Sequence, residues 1–392
     1  MAGIRVLDAA TFIAAPFCGT ILADFGAEVI KIEQPGSGDP LRKFGMVTEC
    51  GDSLVWLSEA RNKKSMTLDL RTPDGSDLFR DLVAQSDIVL ENFRPGTMEK
   101  WGLGYDSLAA INPGLIMLRI SAYGQTGPYR EKPGFARTAH AFSGLSLLAG
   151  EPGRVPVMPG STSLADYMSG MWGAIGVMMA LRSRDETKQG QFIDLALYES
   201  AFRILDEIAP AFSKYGVVRE RLGPDTINVV PHSHYPTKDG WVALACSNER
   251  MFQRLAAVMG RPELADSAEY GTMEARLARR DEVNALVTEW TTSMTTAELT
   301  AACEAGELPC APLNSIADIF EDPQFAAREN MSRIMTRAGE LMLPTAIPRM
   351  SETPPQFSHP GPALGEHTDE ILQELLNLDS QEVTRLRDQG AI

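Results

Sequence analysis

The sequence predicts an α/β protein that opens with a parallel sheet flanked by helices. Three observations carry this. A strand, a helix and a second strand fit within the first 33 residues. The alternation continues to residue 121, and a second strand-and-helix series begins at Trp241. Strands that alternate with helices pair in parallel, because each crossover returns the chain to the same end of the sheet.

Residues 4–8 form a short apolar run that reads as a buried strand. Residues 16–25 place Phe17, Ile21 and Phe25 on one helical face. EVIKIE (28–33) alternates as a strand does, and SMTLDL (65–70) is strand-like. Thr72-Pro73-Asp74 introduces a helix over 75–86. DIVLE (87–91) and LIMLRIS (115–121) are further strands. Met168 to Leu181 is the most apolar stretch. It falls short of the ~20 residues that span a bilayer and reads as a buried helix. QFIDLAL (191–197) is an alternating strand, followed by a helix over 198–215. Residues 219–233 are polar and irregular and mark a boundary. WVALAC (241–246) starts the second unit, with helices over 249–259, 280–293 and 296–304. A helix over 316–329, an extended proline-marked segment over 333–355, and helices near 368–376 and 380–389 close the chain.

At 392 residues the chain has room for two domains. Hydrophobic residues at 44% supply a core, and charged residues at 22% argue against disorder. A net charge of −16 disfavours nucleic acid and membrane as partners, but not a local basic pocket for a small anion. Cys18, Cys50, Cys246, Cys303 and Cys310 are scattered without C-x-x-C spacing, which fits a reducing compartment. MAGIRVLDAA lacks the charged lead and cleavage site of a secretory signal. A cytoplasmic location is expected.

No G-x-G-x-x-G, Walker A, G-x-S-x-G or H-E-x-x-H pattern occurs. Pro35-Gly36-Ser37-Gly38-Asp39-Pro40 reads as a turn. His232 and His234 lack a third ligand in view, so no metal is expected. Arg61, Lys63, Lys64, Arg71, Arg94 and Lys100 concentrate in the N-terminal third. They form either a solvated face or a pocket for a phosphorylated cofactor, where Arg and Lys make charge-assisted bonds.

Asp166 opens the apolar stretch. It can cap the helix by accepting from free backbone N–H groups. It can also act as a nucleophile. At the usual carboxylate pKa of ~3.9 it is ionised at neutral pH and can attack an activated acyl group. Behind it Ser169, Gly173, Gly176 and Ala180 share one helical face. Interior glycines cost ~1 kcal/mol each against alanine, so two on one stripe predict close approach of another backbone.

Residues 3–42, GIRVLDAATFIAAPFCGTILADFGAEVIKIEQPGSGDPLR, resemble the N-terminus of the family III CoA-transferases. The likeness continues through RNKKSMTLDLRTPDG (61–75), DIVLENFRPGTMEKWGLGY (87–105), SAYGQTGPY (121–129), the Asp166 stretch and PALGEHTDEIL (362–372). The resemblance implies reversible CoA transfer from an acyl-CoA to a free carboxylic acid. Coenzyme A is then a substrate, not a resident cofactor. It implies that Asp166 attacks the thioester to give an anhydride and then carries CoA as an aspartyl thioester. Such a site excludes water, because anhydrides hydrolyse. The resemblance further implies a Rossmann-like large domain built from both chain ends, 1–195 and 346–392. Linkers at 196–225 and 316–345 then flank a small α/β domain at 226–315, in an interlocked homodimer. CoA contacts are implied at Ala14, Leu68, Arg71, Asn92, Phe93, Arg94, Lys100, Gly134, Phe135 and Ala136.

The chain departs from part of the family. Ile13 and Gln34 stand where formyl-CoA transferase has glutamine and arginine, and its glycine-rich loop is missing, which argues against formate or oxalate as substrate. The similar α-methylacyl-CoA racemases use the histidine of a G-H-D motif. Here the segment is Gly134-Phe135-Ala136-Arg137, with His140 displaced. A racemase, or an inactive CoA-binding protein, is therefore the lesser alternative. Arg137 falls where the family's substrate pocket is lined. It forms either a structural ion pair or a bidentate hold on the second carboxylate of a dicarboxylic acyl group such as succinyl-CoA.

Overall fold

A computed structural model describes residues 1–392 as two compact units. The first comprises Met1–Ser146, Met158–Gly216 and Glu329–Ile392; the second comprises Leu147–Val157 and Val217–Arg328.

The first unit is built on six parallel strands: β1 (Arg5–Asp8), β2 (Glu28–Glu33), β3 (Lys63–Thr67), β4 (Ile88–Glu91), β5 (Ile116–Ser121) and β6 (Gln191–Ala196). Their order is β3-β2-β1-β4-β5-β6. This is the doubly wound order, in which the loops after β1 and β4 part to opposite sides and open a crevice between them. Leu7 of β1 lies opposite both Ile30 and Val89. β1, β4 and β5 are largely apolar because both of their faces are covered. Leu7, Ile30, Met66 and Val89 enter one core, and Val6, Val29, Ile88 and Leu90 enter the other.

The helices Thr368–Leu376 and Ser380–Asp388 cover the first core through Ile371, Leu372, Val383 and Leu386. Four helices build the other face and the site: α1 (Ala14–Asp24), α2 (Ala136–Phe142), α3 (Leu164–Thr187) and α4 (Leu197–Phe202). α3 is apolar and long enough to cross a bilayer, yet half of its most apolar window is buried inside the protein. It packs on α1 at Gly170, where an added Cβ would stand 2.7 Å from the Ala14 carbonyl oxygen and 2.9 Å from Phe17 Cδ1. The close backbone approach expected of this helix therefore exists, but at Gly170 and not along the Gly173–Gly176 stripe. Gly173 faces the Leu118 side chain, and Gly176 makes an ordinary contact with Ile193.

The second unit carries the antiparallel sheet β7 (His232–Pro236), β8 (Trp241–Ala245) and β9 (Cys310–Pro312). Val242 and Leu244 pack with Phe252, Leu255 and Leu299 from its helices, and Cys246 and Cys303 are buried in that core. Burial pushes the Cys246 thiol up to about 12, so it is an inert filler.

Several expected elements differ. The helix expected over 198–215 is two, α4 and Ile208–Tyr215, and between them Asp206 takes a φ of 47°. The helix expected over 316–329 breaks at Asp322-Pro323. Proline cannot extend the preceding helix, and Asp322 instead caps the next one by accepting from the Gln324 and Phe325 N–H groups. The segment 333–355 holds most of a hairpin, β10 (Met331–Thr336) with β11 (Gly339–Pro344). β7 begins inside the stretch read as irregular, and β3 lies two residues ahead of SMTLDL.

Candidate active site

The loops that follow β1 and β4 meet at the reversal in strand order. The Thr11 N–H donates to Asn92 Oδ1 at 2.8 Å, and Asn92 Nδ2 donates back to the Thr11 carbonyl at 2.7 Å. Phe12 then takes a φ of 61°, a left-handed conformation that bulky side chains rarely adopt. Its N–H donates to Asp39 Oδ1 at 3.0 Å. Its ring meets those of Phe44 and Phe135 edge-on, with centroids 6.2 Å apart in each pair. Asp39 is itself paired with the buried Lys31 at 3.0 Å. The glycine-rich turn at 35–40 thus delivers the carboxylate that holds Phe12.

These groups wall a cavity of about 600 Å³. Of the residues singled out in the sequence, Ala14, Asn92, Gly134, Phe135, Ala136, Arg137 and Asp166 all line it. Ile13, noted in the sequence as a departure from formyl-CoA transferase, lines it too, as do Thr11, Phe12, Ser121 and Leu197, which were not singled out by sequence. Ser121 is buried and its hydroxyl has no hydrogen-bond partner. Its place at the start of SAYGQTGPY was its one signal in the sequence. Phe12 lies within the quoted stretch 3–42, but its conformation is set by residues far along the chain. Leu68, Arg71 and Phe93 line a smaller cavity of about 100 Å³ with Gln34 and Trp101, and Thr11 borders both. Arg94 and Lys100 are exposed and line neither. A larger cavity of about 780 Å³ lies against β10 and β11; of the basic residues weighed for a phosphorylated ligand it includes only Arg61, and none of the implied CoA contacts.

Asp166 lies in the first turn of α3, three residues beyond the N-cap Ser163. It is therefore not the cap. Burial pushes its carboxyl up to about 7, with no nearby charge or hydrogen bond to offset the desolvation. The fully ionised carboxylate expected at neutral pH is corrected accordingly: near pH 7 the carboxyl is present in both forms. A partly desolvated carboxylate is also a stronger nucleophile than one in water, since less hydration must be stripped from it.

Arg137 lies in the first turn of α2 and is exposed at the cavity. Its guanidinium approaches Met158 Sδ at 3.7 Å and not a carboxylate, so the structural ion pair is not formed. The remaining basic residues do not gather into one pocket. Arg61 is buried against Asp24 at 2.6 Å, and Lys63 against Asp8 at 2.9 Å. Lys64 pairs with Glu370 and Glu28. Arg71 is exposed and bound to Asp69 at 2.8 Å, which holds the Asp69 carboxyl well below the usual range. The racemase arrangement has no counterpart either. Phe135 occupies the histidine position, and the His140 Nε2 is engaged by a backbone N–H.

The family model for CoA-transferase family III matches residues 1–368. The chain is 54% identical to the succinyl-CoA–L-malate CoA-transferase beta subunit of Chloroflexus aurantiacus, covering all of this chain and 98% of that one. It is also 54% identical to an alpha subunit of the same name from Chloroflexus aurantiacus, covering all of this chain and 92% of that one. A crystal structure of a CaiB/BaiF family protein from Brucella suis superposes with a TM-score of 0.85 at 35% identity, covering 95% and 98% of the two chains. The parallel sheet, the cavity at its reversal and these likenesses agree: the chain belongs to CoA-transferase family III and is a CoA-transferase.

Proposed function

We propose that the chain moves CoA from succinyl-CoA to a second dicarboxylic acid, L-malate or a close C4–C5 analogue, through Asp166. One observation carries this reading: a desolvated aspartate and an arginine without a carboxylate partner line the same cavity. The names of the relatives at 54% identity support the donor and the acceptor.

The Asp166 carboxylate attacks the thioester carbonyl of succinyl-CoA. The C–S bond breaks, CoA leaves as the thiolate, and an aspartyl–succinyl anhydride forms. The thiolate attacks the aspartyl carbonyl and succinate departs, leaving CoA as a thioester on Asp166. The acceptor carboxylate displaces the thiolate to give a second anhydride. The thiolate then attacks the acceptor's acyl carbon and frees the Asp166 carboxylate. No proton is gained or lost overall, so the site needs no general base. Phe12, Ile13, Phe135 and Leu197 keep water from the anhydrides, and Arg137 holds the distal carboxylate of either acid bidentately. CoA extends past Thr11 and Ala14, with Asn92, Gly134 and Ala136 beside the thioester and Leu68 and Phe93 along its length. Arg71, Arg94 and Lys100 serve its phosphates.

The assembly we propose is an interlocked homodimer in the cytoplasm, with large-domain segments 1–195 and 346–392 and a small domain at 226–315. The outer face of α3 supports an interface, since Trp172, Ile175, Met178 and Met179 are all exposed on it.

The test is direct. The enzyme is incubated with succinyl-CoA, quenched with hydroxylamine and digested. A hydroxamate on the Asp166 peptide, together with malyl-CoA formed on adding L-malate, supports the reading. Turnover with an unmodified Asp166 sinks it.

A further inference from the structure

α3 begins with a deficiency. The first N–H groups of any helix have no intrahelical acceptor. The N-cap residue Ser163 makes no side-chain capping bond, and Asp166 lies too far into the helix to supply one. The missing acceptor comes from another helix. His140 on α2 is 1% exposed, and its Nε2 accepts from the Ala165 N–H at 2.9 Å. Ala165 immediately precedes Asp166.

An imidazole that accepts at Nε2 is neutral and carries its proton on Nδ1. Three features keep it neutral. The ring is desolvated, and the Arg137 guanidinium lies on the same helix; together they hold its pKa below the ordinary value. The positive end of α3 faces it, and a cation there is unfavourable. α2 packs on α3 and α4, whose titratable groups nearest this end are Asp166 and Tyr167 on α3 and Tyr198 and Glu199 on α4. None of these outweighs burial and Arg137 in setting the direction. One helix thus carries Arg137 to the cavity and, three residues on, the group that fixes the turn bearing Asp166.

We infer that His140 is a positioning residue for the transfer: a neutral imidazole that caps α3 from outside and fixes the carboxylate of Asp166 in the cavity. This rests on Asp166 being the nucleophile. Without the Ala165 bond the first turn of α3 frays, and the carboxylate samples positions from which the thioester is out of reach. A small misplacement of a reacting group costs rate more than binding.

The experiment compares His140→Leu with His140→Gln, whose side-chain oxygen can accept the same N–H without titrating. His140→Leu lowers kcat about 10- to 100-fold with the KM for succinyl-CoA within about twofold, and His140→Gln returns kcat to within about threefold of wild type. Equal loss in both variants, or unchanged kcat in His140→Leu, overturns the inference. A second measurement needs no variant. In wild-type enzyme labelled with ¹⁵N-histidine, the His140 ring shows an unprotonated, hydrogen-bonded Nε2 and a protonated Nδ1 at pH 7. A protonated Nε2 overturns the inference even if His140→Leu does not fold. Failure of the Asp166 reading is separately visible as an unmodified Asp166 peptide in wild type.

Discussion

Asn92 and Thr11 exchange two hydrogen bonds, at 2.8 and 2.7 Å, across the point where the strand order reverses. The side chain of one loop thereby satisfies both backbone groups of the residue that leads into the strained Phe12. Asn92→Ala leaves those groups unpaired, which costs about 1–3 kcal/mol. It releases Phe12 from its left-handed conformation as well. We expect a lowered melting temperature and a lowered kcat/KM together. An Asn92→Ala enzyme that loses CoA affinity at unchanged stability would show that the side chain serves the ligand and not the loop.

In the proposed mechanism the ionisation of Asp166 sets the pH dependence of the first step. Burial raises its carboxyl to about 7, and in that mechanism only the carboxylate attacks. kcat/KM for succinyl-CoA should fall about tenfold per unit below pH 7 and level off above it. A profile flat from pH 5 to 9 would place the carboxyl in its ordinary range.

The same burial makes Asp166 a liability for stability. Its folded pKa is raised above the unfolded value, so its contribution is most favourable in acid and is lost as pH rises from about 4 to about 7. Asp166→Asn removes that penalty and, on the proposed mechanism, the activity as well. At about 1.4 kcal/mol per pKa unit, the variant should gain up to ~4 kcal/mol on wild type by pH 8 and little at pH 4. Denaturant melts of both proteins at the two pH values check this.

Arg137 separates dicarboxylates from monocarboxylates in our reading. Arg137→Ala should raise the KM for a dicarboxylic acceptor at least tenfold while leaving a monocarboxylic acceptor of equal length nearly unchanged. Arg137→Lys should recover little, because an ammonium cannot grip a carboxylate bidentately. An unchanged dicarboxylate KM in Arg137→Ala rules this role out.

Two glycines of α3 should respond differently to alanine. At Gly170 the new methyl meets the Ala14 carbonyl oxygen at 2.7 Å and forces α1 and α3 apart. Gly170→Ala should destabilise the fold by about 1–3 kcal/mol. It should also slow turnover, since Ala14 and Asp166 border one cavity. At Gly176 the nearest atom is 3.4 Å away, so Gly176→Ala is tolerated and gains helix propensity. Thermal melts of the two variants should move in opposite directions.

The alternation of strands and helices is legible in the sequence alone, because period and turn residues are local properties. The sequence also identified the acid at the head of α3. Its motifs supplied the family, and seven of the residues they pointed to line one cavity. What it left open depends on contacts between distant segments. The basic residues of the N-terminal third look alike along the chain, yet Arg61 and Lys63 are spent on buried carboxylates while Arg94 remains exposed. The small residues of α3 marked a tight face, but the backbone they accommodate belongs to α1 and arrives at Gly170. Asp166 has an ordinary carboxyl pKa as a sequence letter. Only the folded chain strips its water away, and only the fold brings His140 from another helix to hold the turn on which it stands.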